Sequence, residues 1–161
     1  MERDFMELVN ANRALIFKVC NLYCADAESR HDLFQEIVLQ LWRSFARFRK
    51  DSSGSTWVYR VALNTAISNF RKETRKPEKS SISLAELDIP DLTGHLSRQE
   101  ELNSLYAAIQ LLTEIEKAII LLYLDEKTYE EISDIVGISI SNVGVRLNRI
   151  KNKLTQLVKN K

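Results

Sequence analysis

The stretch "TYEEISDIVGISISNVGVRLNRIKNKL", Thr128 to Leu154, carries its own punctuation. Thr128 followed by Glu131 is the pattern of a capping box: the threonine side chain accepts from the third helical N–H, and the glutamate reaches back to the cap. Tyr129, Ile132, Ile135 and Val136 then recur at helical spacing and predict a short helix with those side chains inward. Gly137 stands where a helix end needs a left-handed residue. Ile138 plugs the turn, Ser139 is placed to cap, and a second helix runs to about Lys159. Two helices joined by a short turn containing glycine form a helix-turn-helix.

The second of these helices has two unlike faces. Val143, Leu147, Ile150 and Leu154 form its apolar stripe. At about 100° per residue, Ser141, Val145 and Asn148 fall opposite that stripe, with Asn142 beside Ser141, Arg146 and Arg149 on one flank and Lys151 on the other. Small and amide side chains suit base edges in a major groove, and the cations suit phosphates on its walls. A helical hairpin whose basic face meets only water would show the same stripe. Between Ile135 and Lys161, however, six basic residues stand against no acid, a net +6, which is not the composition of a mixed solvated surface.

Upstream the same grammar continues. Thr113 followed by Glu116 is a second capping box, opening a helix with Ile115, Ile119, Leu122 and Tyr123 inward. Leu102, Leu105, Tyr106, Ile109 and Leu112 predict an amphipathic helix before it. The segment "KETRKPEKSSISLAELDIPDLTGHLS" breaks the pattern: it holds both prolines and four serines and shows no sustained apolar period, so it reads as a linker. Ahead of it, Phe5 to Tyr23 predicts one helix with a polar interruption at Asn12. Ser29 to Phe48 predicts a second, with Ser29 and Asp32 as its cap pair and Leu33, Ile37, Val38, Leu41, Trp42 and Phe45 as its apolar stripe. A third, capped by Ser55 or Thr56, ends near Thr74. The expected fold class is all-α, with helical modules at 1–76 and 98–161, a linker at 77–97, and a helix-turn-helix in the second module.

Composition narrows the function. The chain has 161 residues, 45% hydrophobic and 28% charged, with only 4 glycines and 2 prolines, as expected of a long-helix globular protein. Its net charge of +1 hides segregation: Arg60 to Lys76 carries five basic residues and one acid, whereas Pro77 to Glu101 carries two basic residues and six acids. Two basic segments around an acidic connector suggest two contacts with a polyanion. The amino terminus has neither a signal-peptide pattern nor a membrane span, so a cytoplasmic protein without membrane insertion is expected. Cys20 and Cys24 sit one helical turn apart, and His31 and His95 are at no zinc-like spacing from them. Both cysteines are expected to pack as small apolar residues, with no metal and no cofactor. Neither a catalytic constellation nor a phosphate-cradling glycine loop is present, and no enzyme activity is expected.

Three stretches in this order, "DLFQEIVLQLW" (Asp32–Trp42), "TWVYRVALNTAISNFRK" (Thr56–Lys72) and the helix-turn-helix quoted above, resemble the extracytoplasmic-function sigma factors, promoter-specificity subunits of bacterial RNA polymerase. The resemblance implies a first module that binds the clamp helices of core RNA polymerase and opens the minus-ten promoter element, and a second that reads the minus-thirty-five duplex. It places the polymerase contact on Asp32, Gln35, Glu36 and Leu39. It also gives the stretch from Ser55 to Lys76 a reason to mix aromatics with cations, because melted DNA must be held there. Unpairing costs a few kcal/mol, offset by a pocket and by contacts to an extruded base. The loop Lys50–Ser55, bounded by Phe48 and Trp57 and carrying Lys50, Ser52 and Ser53, is the expected pocket. Asn64 has a donor and an acceptor for a base edge, and Arg60, Arg71, Lys72 and Arg75 suit the displaced strands. Trp57 is either a stacking platform for a base or the tryptophan that packs the loop on the helix, while Tyr59 and Phe70 are assigned mainly to packing.

The chain departs from the family pattern at several positions. Leu112-Thr113 and Lys117 replace a usual Leu-Pro and Arg, His31 replaces an acid beside Asp32, and Gly144 stands where a lysine is frequent. Members are commonly held by an anti-sigma factor, so such a partner is admitted alongside core polymerase and promoter DNA, duplex and melted. The competing expectation is a helix-turn-helix regulator that binds duplex DNA without being a polymerase subunit. An adaptor that binds only proteins is a further alternative, marked by negligible DNA affinity at low salt.

Overall fold

The computed structural model describes residues 2–48, 53–74 and 96–159, and the chain divides into two units, residues 1–87 and 88–161. All regular structure among the described residues is helical.

The amino-terminal unit contains α1 (Glu2–Ala11), α2 (Arg13–Tyr23), α3 (Ala27–Phe45) and α4 (Gly54–Thr74). The single helix expected over residues 5–23 is two. Asn12 leaves helical geometry at φ −114°, ψ 16°, and its side-chain Nδ2 donates to the Leu8 carbonyl at 2.9 Å. A short amide that bonds the preceding turn competes with helix continuation, which is why the break falls there. Asp26, rather than Ser29, caps α3, its carboxylate accepting from the Ser29 N–H at 3.0 Å. Arg30 Nε donates to the Cys24 carbonyl at 3.0 Å and so ties the end of α2 to the start of α3.

Helix α4 also begins earlier than its expected cap. Ser53 Oγ accepts from the Thr56 N–H at 3.2 Å and donates to Thr56 Oγ1 at 2.8 Å, so the cap is Ser53 and Thr56 is buried. Gly54 then lies close under α1: a Cβ there would stand 2.8 Å from Leu8 Cδ1. Helices α2, α3 and α4 pack against one another around Ile16, Val19, Cys20, Ile37, Leu41, Val58 and Tyr59, all fully buried. Each large apolar side chain buried this way contributes roughly 1.5–3 kcal/mol of transfer free energy. On α3 the strict four-residue series Leu33, Ile37 and Leu41 is the buried line. Trp42, expected inward, is 41% exposed and meets Phe5 edge-on at 5.0 Å.

The carboxy-terminal unit contains α5 (Leu96–Gln110), α6 (Glu114–Leu124), α7 (Tyr129–Val136) and α8 (Ile140–Lys159). Both expected capping boxes form, with Thr113 and Glu116 on α6 and Thr128 and Glu131 on α7. Gly137 takes the left-handed conformation at φ +83°. Helix α6 ends differently, with the Lys127 N–H reaching the Leu122 carbonyl and the Glu126 N–H that of Tyr123. That is a Schellman arrangement, and it holds Glu126 at φ +62° where glycine is usual. The core is built from Ile119, Leu122, Ile132, Val143, Leu147 and Ile150. Leu102 and Tyr106, expected on the buried side of α5, are largely exposed; Ile109 is buried as expected, with Ala107 and Ala108 beside it. Tyr123 and Tyr129 were likewise expected inward and are 36% and 42% exposed.

Candidate nucleic-acid interface

Helix α8 is amphipathic, and its exposed face is polar and cationic. Val143, Leu147, Ile150 and Leu154 are buried, which holds the opposite side of the helix to solvent. On that side Ser141, Val145, Asn148 and Arg149 are exposed, while Asn142 and Arg146 are half-buried at its edges. Ser139 Oγ accepts from the Asn142 N–H at 3.2 Å and lies 3.3 Å from Ser141 Oγ, so the first turn is capped and the Ser141 hydroxyl has a local partner. The Ser133 hydroxyl donates to the Ile138 carbonyl across the turn. Rotation of the helix and the tightness of the turn therefore follow from separate contacts.

The flanking lysines behave differently from the arginines. Lys151 Nζ donates to Tyr123 Oη at 3.0 Å and stands 4.2 Å from the ring centroid. That hydrogen bond holds the Lys151 ammonium above its ordinary pKa. Lys153 Nζ pairs with Glu116 Oε1 at 3.0 Å, and the same oxygen accepts from the Thr113 N–H at 2.9 Å. Sequence spacing placed Lys151 on a groove wall; packing attaches it to α6. Gly144 faces α7, where an added Cβ would lie 3.6 Å from Tyr129 Cε2, an ordinary contact.

In the amino-terminal unit, Arg60, Asn64 and Arg71 fall on one line of α4, because positions four and eleven residues apart nearly superpose around a helix. Asn64, Arg71 and Lys72 are exposed and Arg60 is half-buried. The line is about 17 Å long at 1.5 Å per residue. Trp57 sits at its upper end, but the indole is only 9% exposed and one face is taken by Phe48, centroids 4.5 Å apart at 27°. Of the two roles open to Trp57, packing is the one its surroundings fill in this form. Tyr59 is fully buried, and Phe70 meets Tyr23 edge-on at 6.3 Å. The Ser53 hydroxyl is engaged in the α4 cap. Lys50, Ser52 and Arg75 lie outside the described residues.

Asp32, Gln35, Glu36 and Leu39 are all exposed along one side of α3. Gln35 Nε2 lies 3.1 Å from His31 Nε2, and Glu36 Oε1 accepts from Gln40 Nε2 at 3.0 Å. Trp42 and Arg43 extend this exposed side by one turn. Trp42 was missed as a surface residue because its hydrophobicity outweighed its phase, one position past the buried line of Leu41.

Among the described residues no group of His, Cys, Asp or Glu is placed to hold a metal ion, and no helix is long and apolar enough to cross a membrane.

Comparison with known proteins places this geometry. Residues 8–76 match Sigma-70 region 2 and residues 102–154 match Sigma-70, region 4. The chain is 32% identical over 143 residues to the ECF RNA polymerase sigma-E factor of Escherichia coli K12, covering 80% of this chain and 75% of that protein. It is 26% identical over 164 residues to the RNA polymerase sigma-H factor of Pseudomonas aeruginosa, covering 95% and 85%. In fold it resembles the sigma factor RpoE of Bartonella quintana, solved in complex with the anti-sigma factor NepR, at TM-score 0.73, 21% identity and 98% coverage of both chains. It also resembles CnrH, solved with the cytosolic domain of CnrY, at TM-score 0.71, 18% identity and coverage of 100% and 91%. The chain belongs to the extracytoplasmic-function RNA polymerase sigma factors, promoter-directing subunits of the polymerase rather than regulators that act without it.

Proposed function

We propose that the two units divide promoter recognition between them. The amino-terminal unit, over residues 1–76, docks on core polymerase through Asp32, Gln35, Glu36 and Leu39 and opens the minus-ten element along Arg60, Asn64, Arg71 and Lys72. Lys50, Ser52, Ser53 and Arg75 complete that contact, and Trp57 supports it from beneath. The carboxy-terminal unit, over residues 98–161, sets α8 into the minus-thirty-five major groove. Ser141, Asn142, Val145 and Asn148 meet base edges, and Arg146 and Arg149 meet phosphates. The observation that carries this proposal is the buried stripe of α8 set against an exposed side with no acid on it.

The protein acts in the cytoplasm, where polymerase and chromosome are, and has no catalysis of its own. A partner of the anti-sigma class holds it in reserve, as the sigma factor RpoE of Bartonella quintana was captured with the anti-sigma factor NepR. The test is reconstitution with purified core polymerase, followed by transcription from a promoter library randomised at both elements. Selective initiation with two enriched sequence blocks supports the assignment. Core binding with only one enriched block would remove the unit that left no mark.

A further inference from the structure

Two lysines of α8 are tied to one face of α6. Glu116 and Tyr123 are seven residues apart on that helix, so they lie on the same side about 10 Å from each other along the axis. Tyr123 takes Lys151 at 3.0 Å, and Glu116 takes Lys153 at 3.0 Å. On α8 these lysines flank the buried line of Ile150 and Leu154, each about 80° from it on opposite sides. The ties therefore straddle the contact between the helices. The buried stripe sets which side of α8 faces solvent, and a polar tie on each flank resists the smaller rotations that remain, in both directions.

We propose that Lys151 and Lys153 are positioning residues, which through Tyr123 and Glu116 fix the rotation of α8 and so decide which of its side chains face the promoter duplex. The proposal rests on the assignment of α8 to the minus-thirty-five element and changes the role of Lys151 within it. The Lys153 charge is compensated by the Glu116 carboxylate, and the Lys151 ammonium, though still charged, is held against the Tyr123 phenol on α6 rather than at a groove wall, so phosphate neutralisation falls to Arg146 and Arg149. Neither tie is deeply buried: the Lys153 and Glu116 side chains are 44% and 22% exposed. Exposed pairs of this kind add little to stability, and their effect is on geometry.

The experiment measures binding of promoter and scrambled duplexes by the full chain assembled with core polymerase, across a salt series. Lys151→Ala and Tyr123→Phe are each expected to lower the preference for promoter over scrambled duplex about fivefold, with no further loss when combined. Their log–log salt slopes stay at the wild-type value, while Arg149→Ala lowers the slope by about 0.9. Lys151→Arg, which can still reach the phenol, keeps the preference. Glu116→Gln keeps the capping box yet loses the charge that holds Lys153, and is expected to repeat the loss of preference. A slope lowered by about 0.9 in Lys151→Ala, with Tyr123→Phe unchanged in preference, would overturn the proposal alone. An unchanged slope in Arg149→Ala would overturn the placement of α8 on DNA, and this inference with it.

Discussion

The Phe48 ring stacks on the Trp57 indole at 4.5 Å and 27°, and Phe45 meets the same indole at 6.3 Å. The end of α3 is thereby joined to the first turn of α4 across the segment assigned to the minus-ten base. Both tryptophans of the chain, Trp42 and Trp57, lie in the amino-terminal unit, so intrinsic tryptophan fluorescence reports that unit alone. Trp57→Ala is expected to destabilise it by about 3 kcal/mol, as other large-to-small aromatic deletions do. Trp57→Phe costs markedly less. Urea titration followed by Trp42 emission checks both; equal small losses would mean that the ring is not part of the packing.

Asn64 is exposed on the line between Arg60 and Arg71, where its amide has no role in the core. Asn64→Ala should reduce promoter opening by roughly tenfold, the size of a lost base-edge hydrogen-bonding pair, while core polymerase binding stays unchanged. Permanganate footprinting of the melted strand, beside a core-binding assay, separates the two. Unaltered melting removes Asn64 from the interface.

Three backbone positions in the carboxy-terminal unit have different expected signs. Glu126 holds φ +62° with a side chain, so Glu126→Gly should raise stability by about 1 kcal/mol. Gly137 holds φ +83° legitimately, so Gly137→Ala should lower stability by a similar amount, about 1 kcal/mol. Gly144 is helical with ordinary room for a Cβ against Tyr129, so Gly144→Ala should raise stability by up to about 1 kcal/mol. Thermal unfolding followed by circular dichroism gives the signs directly, at a few degrees per kcal/mol.

Acid should weaken this unit through its caps. Burial raises the Glu116 carboxyl, but the bonds from the Thr113 N–H and from Lys153 outweigh it and hold it below its ordinary 4.5. The Thr128 N–H does the same for Glu131. A carboxyl depressed in the folded state binds fewer protons there than in the unfolded chain. Its contribution is therefore present above pH 4.5 and lost as pH falls through the folded value. The Glu116→Gln, Glu131→Gln double variant keeps both capping geometries and should show a flatter decline in thermal midpoint below that pH. An identical acid profile would show that other groups govern it.

Cys20 is fully buried, and burial pushes its thiol up to about 12, with Cys24 adding to the rise. It should resist alkylation at neutral pH until the amino-terminal unit unfolds, because the thiolate is the reactive form. Mass-spectrometric labelling in native buffer and in urea checks this; rapid native labelling of Cys20 would contradict its place in the core.

Local chemistry made much of this protein legible without coordinates. The Thr113 and Thr128 caps, the Gly137 turn and the buried line of Val143, Leu147, Ile150 and Leu154 follow from residues within one or two helical turns of each other. Their hydrogen bonds and periodicity need no distant partner. The exposed side of α8 followed from the same phase. What lay beyond the sequence depends on which groups meet across helices. Asn12 breaks a helix that apolar spacing would continue, and Ser53 rather than Ser55 caps α4. Trp42 and Tyr123 face solvent despite their hydrophobic surface, since the helices packed against theirs leave one side of each uncovered. Lys151 shows the limit most plainly: its position on α8 marks it as a cation for DNA, yet a tyrosine 28 residues away takes its ammonium. Spacing along one helix sets where a side chain can point, and only the packing of another helix decides what it finds there.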